Sequence, residues 1–300
     1  MSQTFLVTGG TGAIGTAFIH EIASRGMDVR FGTRKPDGAA ARLRAAMGPG
    51  KVEPVVIDPK DDAGLARAFD GVTGALLVAP FEDMPAWHSA IGRAAHGAGV
   101  AHVVKVSVTG ARPQASDPPP GRIPWAHYQG ELALLESGVN ATMVRPTIFA
   151  QHFLGLSPAL FKPGDTRFHL PTGERGVAFV DCRDIALCAA RILLEQTLRE
   201  TWRGRSFELT GPTAVTASQI AQILEDTSGR EIAWVDGAED FSAHAKSIGV
   251  PDGIQAVYRE AAEGWFADVR DSEFVEITGR YPTSFAKFAF DHRSYFSMTR

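Results

Sequence analysis

Glycines are the residues best placed to do chemistry at the start of the chain. Phe5-Leu6-Val7-Thr8-Gly9-Gly10-Thr11-Gly12-Ala13-Ile14-Gly15 runs an apolar strand into a glycine cluster and then into a helix. A pyrophosphate needs bare backbone N–H groups at a helix N-terminus, and only glycine lets the chain turn tightly and approach closely enough. Gly9 or Gly10, Gly12 and Gly15 take these roles, with Thr11, Ala13 and Ile14 beside them. A lone glycine triplet is an ordinary tight turn, but between a strand and a helix it predicts a dinucleotide site. The end of the second strand, roughly 20 residues past the turn, selects the dinucleotide, because an acid there would bind the 2'-hydroxyl of NAD. The chain has Phe31-Gly32-Thr33-Arg34-Lys35 instead, with a guanidinium and an ammonium suited to the extra phosphate of NADP. NADP(H) is therefore expected in preference to NAD(H). Asp58 is a candidate for the adenine edge, although capping a helix near Asp61 is an equally good use for an acid there. Ala79, Pro80, Ser107 and Pro146, at or just past later strands, are assigned to the same ligand.

The elements that must hold this site follow from an alternation of β-rich runs with amphipathic stretches up to about residue 146. Strands are expected at Thr4 to Thr8, Val29 to Thr33, Val52 to Asp58, Ala75 to Ala79, Val103 to Ser107 and Thr142 to Arg145. Apolar positions at helical spacing lie between them, as in Ile14, Phe18 and Ile22 or Leu132 and Leu135. Pro54 inside the third strand fits an edge position, as in a sheet ordered 3-2-1-4-5-6. The fold class is thus α/β, a Rossmann-type doubly wound parallel sheet with a smaller, mostly helical C-terminal substrate lobe. Residues 149 to 176 read as irregular connections with one helix at most, Phe179 to Asp181 and Ser206 to Thr210 as short strands, and Asp184 to Glu195 and Ala217 to Gly229 as helices.

The 300 residues carry 44% hydrophobic and 21% charged side chains and a formal charge of −4, ordinary for a globular protein. No basic field attracts a polyanion, so nucleic acid is not an expected partner. Cys182 and Cys188 sit in one helix-like stretch where a disulfide is geometrically unfavourable, which fits a reducing cytoplasm. No export signal or run of the ~20 apolar residues needed for a membrane span is visible. His88, His96 and His102 are scattered, so no metal site is expected. The expected partner is a small-molecule substrate, and the expected assembly a monomer or homodimer.

Beyond the glycine turn and Arg34-Lys35-Pro36, further marks recur in order. They are Val103-Val104-Lys105-Val106-Ser107, His127-Tyr128-Gln129-Gly130-Glu131, Thr142-Met143-Val144-Arg145-Pro146, Asp181-Cys182-Arg183-Asp184-Ile185-Ala186, Leu209-Thr210-Gly211-Pro212 and Ile277-Thr278-Gly279-Arg280-Tyr281-Pro282. Together these resemble the NmrA-like family of atypical short-chain dehydrogenases/reductases over nearly the whole chain. The family contains NADPH-dependent reductases of quinones, dyes, imines and enones, and also non-catalytic sensors of the NAD(P) redox state. The resemblance implies a dinucleotide domain of 1 to 146 plus about 177 to 195. It also implies a substrate lobe of 147 to 176 plus 196 to 300 covering the nicotinamide end of the cleft. His152 departs from the pattern, standing where many relatives have Asn.

Most short-chain dehydrogenases move the carbonyl proton with a Tyr-x-x-x-Lys pair, whose ammonium lowers the phenol's pKa. This sequence has none: Tyr128 is followed four residues on by Leu132, and neither Tyr258 nor Tyr281 has a Lys at that spacing. Aligning Glu131 with the glutamate that ends the longer pattern of extended relatives puts His127 at the Lys position and Ile123 at the Tyr position. Ser107, His127 and Tyr128 remain as catalytic candidates; a helix-start cap for Ser107 and an exposed helix face for the other two are their competing uses. Phe81, Trp87, Trp125, Phe149, His152 and Phe153 are assigned to the substrate pocket, with Phe161 and Phe168 nearby, and core packing is the competing use of each aromatic ring. These readings imply an NADPH-dependent oxidoreductase acting on a small conjugated electrophile such as a quinone, enone or imine. A redox sensor that turns nothing over is the alternative.

Overall fold

The computed structural model describes residues 3–33, 49–80, 82–116, 121–156, 160–162, 164–235, 237–250 and 252–298. Its main sheet has seven strands in the order β3-β2-β1-β4-β5-β6-β8. These are β1 (Thr4–Val7), β2 (Asp28–Gly32), β3 (Val52–Val55), β4 (Val72–Leu77), β5 (His102–Val106), β6 (Ala141–Pro146) and β8 (Ser206–Leu209). Phe5, Leu6 and Val7 are fully buried, the continuous apolar run of a strand covered on both faces. β1 pairs in parallel with β2 and β4, so the strand order reverses beside it, and ligands of such sheets bind beyond the carboxyl ends at that reversal. Pro54 lies opposite Phe31 in β3, the edge strand, where a missing N–H is tolerated.

The described crossovers are α1 (Ala13–Ala23), α2 (Asp62–Phe69), α3 (Met84–Gly97) and α4 (Arg122–Glu136). Leu65, Phe69, Trp87, Ile91 and Leu134 on these helices pack with Leu6, Leu77, Val103 and Met143 of the strands. Gly130 lets α3 and α4 approach: a Cβ there would lie 2.8 Å from His88 Nδ1.

The chain divides into two compact units, 1–145 with 185–208 and 276–278, and 146–184 with 209–275 and 279–300. These boundaries differ from the expected ones. The return to the sheet begins inside α5 (Cys182–Leu194) and extends through α6 (Gln196–Trp202) into β8, which adds a seventh strand beyond β6. Residues 177 to 184 stay with the second unit because Val177 and Phe179 are buried in its core and Val180 exchanges backbone hydrogen bonds with Ile148 and Ala150.

The second unit holds α7 (Ala217–Ser228), α8 (Ala238–Ser247), α9 (Asp252–Ala262), α11 (Phe285–Asp291) and α12 (Arg293–Phe296), while most of α10 (Ser272–Thr278) precedes its last return. It is mostly helical, as expected. The segment after Phe149 is not wholly irregular: it forms a short 3-10 helix (Ala150–Leu154) and β7 (Arg167–His169), which pairs in parallel with β9 (Ala233–Val235). Cys182 and Cys188 are buried thiols. Among the described residues no helix is long and apolar enough to cross a membrane.

Candidate active site

The turn after β1 is built so that side chains are excluded from it. Gly9 has φ +69°, a conformation that side chains resist. A Cβ on Gly10 would lie 2.5 Å from Phe31 Cβ, and one on Gly15 would lie 2.3 Å from the Gly9 carbonyl oxygen. Gly12 is the N-cap of α1 and supplies no side-chain cap, while Thr11, Gly12 and Ala13 are exposed. The opening amides of an 11-residue helix therefore have no side-chain acceptor from the cap, which suits a pyrophosphate. Ile14 and Gly15 are buried and can offer a ligand only backbone. Thr8 pins the turn to the end of β4, its hydroxyl accepting from the Val78 N–H at 2.8 Å and donating to the Val78 carbonyl at 3.1 Å.

Other expected cofactor contacts surround this turn unevenly. Thr33 follows β2 with its N–H on the Val55 carbonyl, and Ala79 and exposed Pro80 lie two and three positions past β4. Asp58 is exposed and accepts the Lys60 N–H at 2.9 Å, whereas Asp61 is the residue that caps α2. Pro146 is buried at the end of β6. Arg34, Lys35 and Phe81 lie outside the described residues.

A buried polar cluster joins β5, α4 and β6. Glu131, 2% exposed, accepts the Ser107 hydroxyl at 2.5 Å and both Nε (3.0 Å) and Nη2 (2.5 Å) of Arg145. Such bidentate geometry is the strongest ion pairing a carboxylate makes. Lys105, fully buried on β5, sets its Nζ 3.2 Å from His127 Nδ1 and 3.4 Å from the Val106 carbonyl. Burial pushes the Lys105 ammonium down to about 7, with Glu131 opposing the shift and Arg145 adding to it. Burial, with Lys105 and His88 beside it, also holds His127 well below the ordinary imidazole value. His88, down to about 3 by burial and then by Lys105, points Nδ1 at the Met84 carbonyl, 2.7 Å away. His127 is thus not on an exposed helix face, and Ser107 caps no helix: its hydroxyl is given to Glu131. Tyr128 is half-buried with its ring stacked on Trp125, centroids 5.9 Å apart.

Several rings expected in a pocket pack in cores instead. Trp87 is buried among Leu65, Phe69, Ile91 and Leu134. Phe153 is fully buried, edge-on to Phe168, Phe179 and Phe285, and Phe161 and Phe168 join the same cluster. Their helical or strand spacing reflects burial, the commoner use of large aromatics. Phe149 and His152 are half-buried and meet edge to face, centroids 5.9 Å apart, and His152 Nδ1 is hydrogen-bonded to the Tyr258 hydroxyl.

The NmrA-like family profile matches residues 1–279. The chain belongs to the NmrA-like family. The NAD(P)H azoreductase of Xenophilus azovorans is 30% identical over 297 residues, covering 97% of this chain and 98% of that protein. The (4-alkanoyl-5-oxo-2,5-dihydrofuran-3-yl)methyl phosphate reductase of Streptomyces griseus is 31% identical over 296 residues, 97% of this chain and 99% of that one. The crystal structure of the NADPH-dependent quinone oxidoreductase of Escherichia coli complexed with NADPH superposes with a TM-score of 0.74 at 26% identity, covering 96% and 99% of the two chains. These homologues are reductases of the atypical short-chain type, as the sequence led one to expect.

Sequence reasoning passed over four residues of this NmrA-like chain that the structure brings into play. Lys105, Glu131 and Arg145 were visible as family marks without a role. A lysine inside the apolar run Val103-Val104-Lys105-Val106 was the available signal, since lysine is almost never fully buried without a partner. Tyr258, on α9 and 106 residues from His152, left no signal at all.

Proposed function

We propose that this chain is an NADPH-dependent reductase that delivers hydride to a small conjugated electrophile, a quinone, an enone or an imine. The observation that carries the reading is that two of the three acid candidates are committed to other protein groups and the aligned tyrosine position is aliphatic. Ser107 is given to Glu131, His127 is buried against Lys105, and Ile123 stands at the aligned tyrosine position. A saturated ketone needs an acid to take its growing alkoxide charge. A conjugated acceptor spreads that charge into a phenolate or enolate, or ends as an amine, which water can protonate.

The glycine turn and the α1 N-terminus would hold the pyrophosphate, and bound NADPH would supply the hydride. Arg34 and Lys35 support the 2'-phosphate form, and the quinone oxidoreductase superposed above was solved with NADPH. The relatives' printed activities, on azo compounds, a butenolide and quinones, are all reductions of conjugated acceptors. The test is loss of nicotinamide absorbance with NADPH against a panel of quinones, enones, cyclic imines and saturated ketones. Turnover of conjugated acceptors alone is expected. Binding of NADPH and NADP with similar affinity and no turnover on the panel would instead favour a redox sensor.

A further inference from the structure

Three cations of the second unit converge on one hollow of about 490 Å³. Arg183 stands in the first turn of α5, Arg280 two positions past α10, and Lys287 on α11. Two enclosed acids fix the guanidiniums. Asp181 accepts Arg183 Nε at 2.9 Å and Nη2 at 2.6 Å. Asp184 accepts Arg280 Nη2 and the Thr283 N–H, both at 2.6 Å, and Arg280 also lies over the Phe274 ring, 5.3 Å from its centroid. Both long side chains are thus ordered before any ligand arrives, which removes part of the entropic cost of binding.

The cations also face solvent. Arg183 and Arg280 keep 43% and 46% of their side-chain surface exposed, and Lys287 61%. Arg183 Nη1, at 2.9 Å, and Lys287 Nζ both close on the carboxylate of Asp291, which is the one acid among the lining residues. Two cations from separate segments meeting on one oxyanion mark the place where the hollow accepts negative charge, and a side chain of the protein itself takes that place. Ser284, also in the lining, accepts the Lys287 N–H on its Oγ at 3.2 Å and has its own proton left to donate. Tyr281, 71% exposed, adds an open aromatic face to the lining. The space exceeds what a bare phosphate fills and falls among small-molecule sites, which span about 300 to 1,000 Å³.

We propose that this hollow is a binding site for a small organic phosphate with a flat aromatic body. The phosphate displaces the Asp291 carboxylate from between Arg183 and Lys287, takes a hydrogen bond from Ser284, and leaves its ring against Tyr281. A guanidinium suits a phosphate because its planar N–H pairs grip two oxygens at once. A dianion is favoured over a carboxylate, since the ligand must outcompete the single charge of Asp291, which is already tethered in place. With Asp291 displaced, three cations against the two enclosed acids leave one net positive charge facing the ligand. Affinity therefore comes from close-range hydrogen bonds and stacking more than from a long-range field, which salt screens.

The experiment titrates the full chain with phenyl phosphate, by calorimetry and by amide nitrogen–proton spectra, with inorganic phosphate and phenol as comparison probes. Saturable binding of phenyl phosphate is expected, with spectral shifts gathered at residues 280 to 291. Lys287→Ala should weaken it about tenfold, between the scale of an exposed ion pair and that of a buried charged hydrogen bond. Asp291→Asn should tighten it several fold, because the competing carboxylate is gone. Opposite signs from two residues one turn apart on α11 are an outcome that general loosening of the helix cannot produce, and thermal unfolding of both variants checks that the fold holds. Tyr281→Ala should bring phenyl phosphate down to the affinity of inorganic phosphate, a loss of about two- to tenfold for one stacked ring pair. No saturable binding, shifts confined to Gly9 to Gly15, or weaker binding in Asp291→Asn would overturn the site. Phenol binding as tightly as phenyl phosphate, or inorganic phosphate binding as tightly to the native protein, would overturn the assignment to an organic phosphate.

Discussion

Lys105 Nζ lies 3.2 Å from His127 Nδ1 in the interior of the sheet-bearing unit, two basic groups both buried. Glu131 is the acid of the group, and Arg145 and Ser107 already occupy it. The ammonium therefore keeps its proton poorly, and the imidazole stays neutral and accepts from it. Burial lowers Lys105 to about 7, with Glu131 opposing the shift and Arg145 adding to it.

Stability should consequently rise with pH in the native protein relative to Lys105→Met. The folded pKa is depressed below that of the unfolded chain, so between about 7 and about 10 the unfolded state binds more protons. The burial penalty is present below that window and is relieved as pH rises through it, with a slope of up to about 1.4 kcal/mol per pH unit. His127, Glu131, Arg145 and His88 are the ionisable groups facing the ammonium. Urea unfolding of both proteins at pH 6 to 10 measures this, and a constant difference across the range would show that Lys105 does not titrate there.

Two glycines of the turn should behave differently when changed to alanine. In Gly15→Ala the new Cβ would meet the Gly9 carbonyl at 2.3 Å and Gly10 Cα at 2.7 Å, so backbone must move and both stability and NADPH affinity should fall. In Gly12→Ala the nearest atom is the Gly9 oxygen at 3.4 Å and φ is −81°, so the fold should hold while the methyl enters the exposed space meant for pyrophosphate. Thermal unfolding together with NADPH titration separates them. An equal loss of stability in both would contradict the steric account.

How far the sequence revealed this architecture depended on the period of each signal. β1, α1 and the glycine turn were legible because a strand, a tight turn and a helix follow one another within about one supersecondary unit. The edge position of β3 was legible from Pro54 alone. β7 and β9, three residues each, are too short to show alternation, and their pairing joins segments more than sixty positions apart. Trp87 and Phe153 were misplaced because an aromatic side chain near a strand end looks the same whether it faces a ligand or a core; only their neighbours decide. The Lys105 cluster was half legible, since its members stood in recognisable motifs, but their mutual distances depend on how β5, α4 and β6 pack.

Cofactor choice is testable through Arg34, assigned from the sequence to the 2'-phosphate. Arg34→Ala should weaken NADPH binding by about 1.5 to 3 kcal/mol, the scale of a charge-assisted hydrogen bond, and leave NADH binding nearly unchanged. Fluorescence titration with each cofactor reads this directly. Equal losses for both would remove Arg34 from the phosphate site.

Tyr128 decides whether a phenol of α4 delivers the proton after all. Its ring is stacked on Trp125, it is half-buried, and Leu132 stands where a tuning lysine would be. Lys105, buried near α4, is directed at His127. The phenols that act as acids in short-chain enzymes work beside a lysine that tunes them, and none stands at that spacing from Tyr128. Tyr128→Phe should therefore change the rate of quinone reduction by no more than a few fold, because the hydride step requires mainly proximity and orientation. A general acid in that position would cost on the order of 10² to 10⁴ on removal. The pH profile of kcat/KM supplies an independent reading, since a titrating phenol would impose a basic limb that disappears in Tyr128→Phe. A hundredfold loss in that variant, with NADPH affinity and folding intact, would place the proton donor on α4 and withdraw the solvent route.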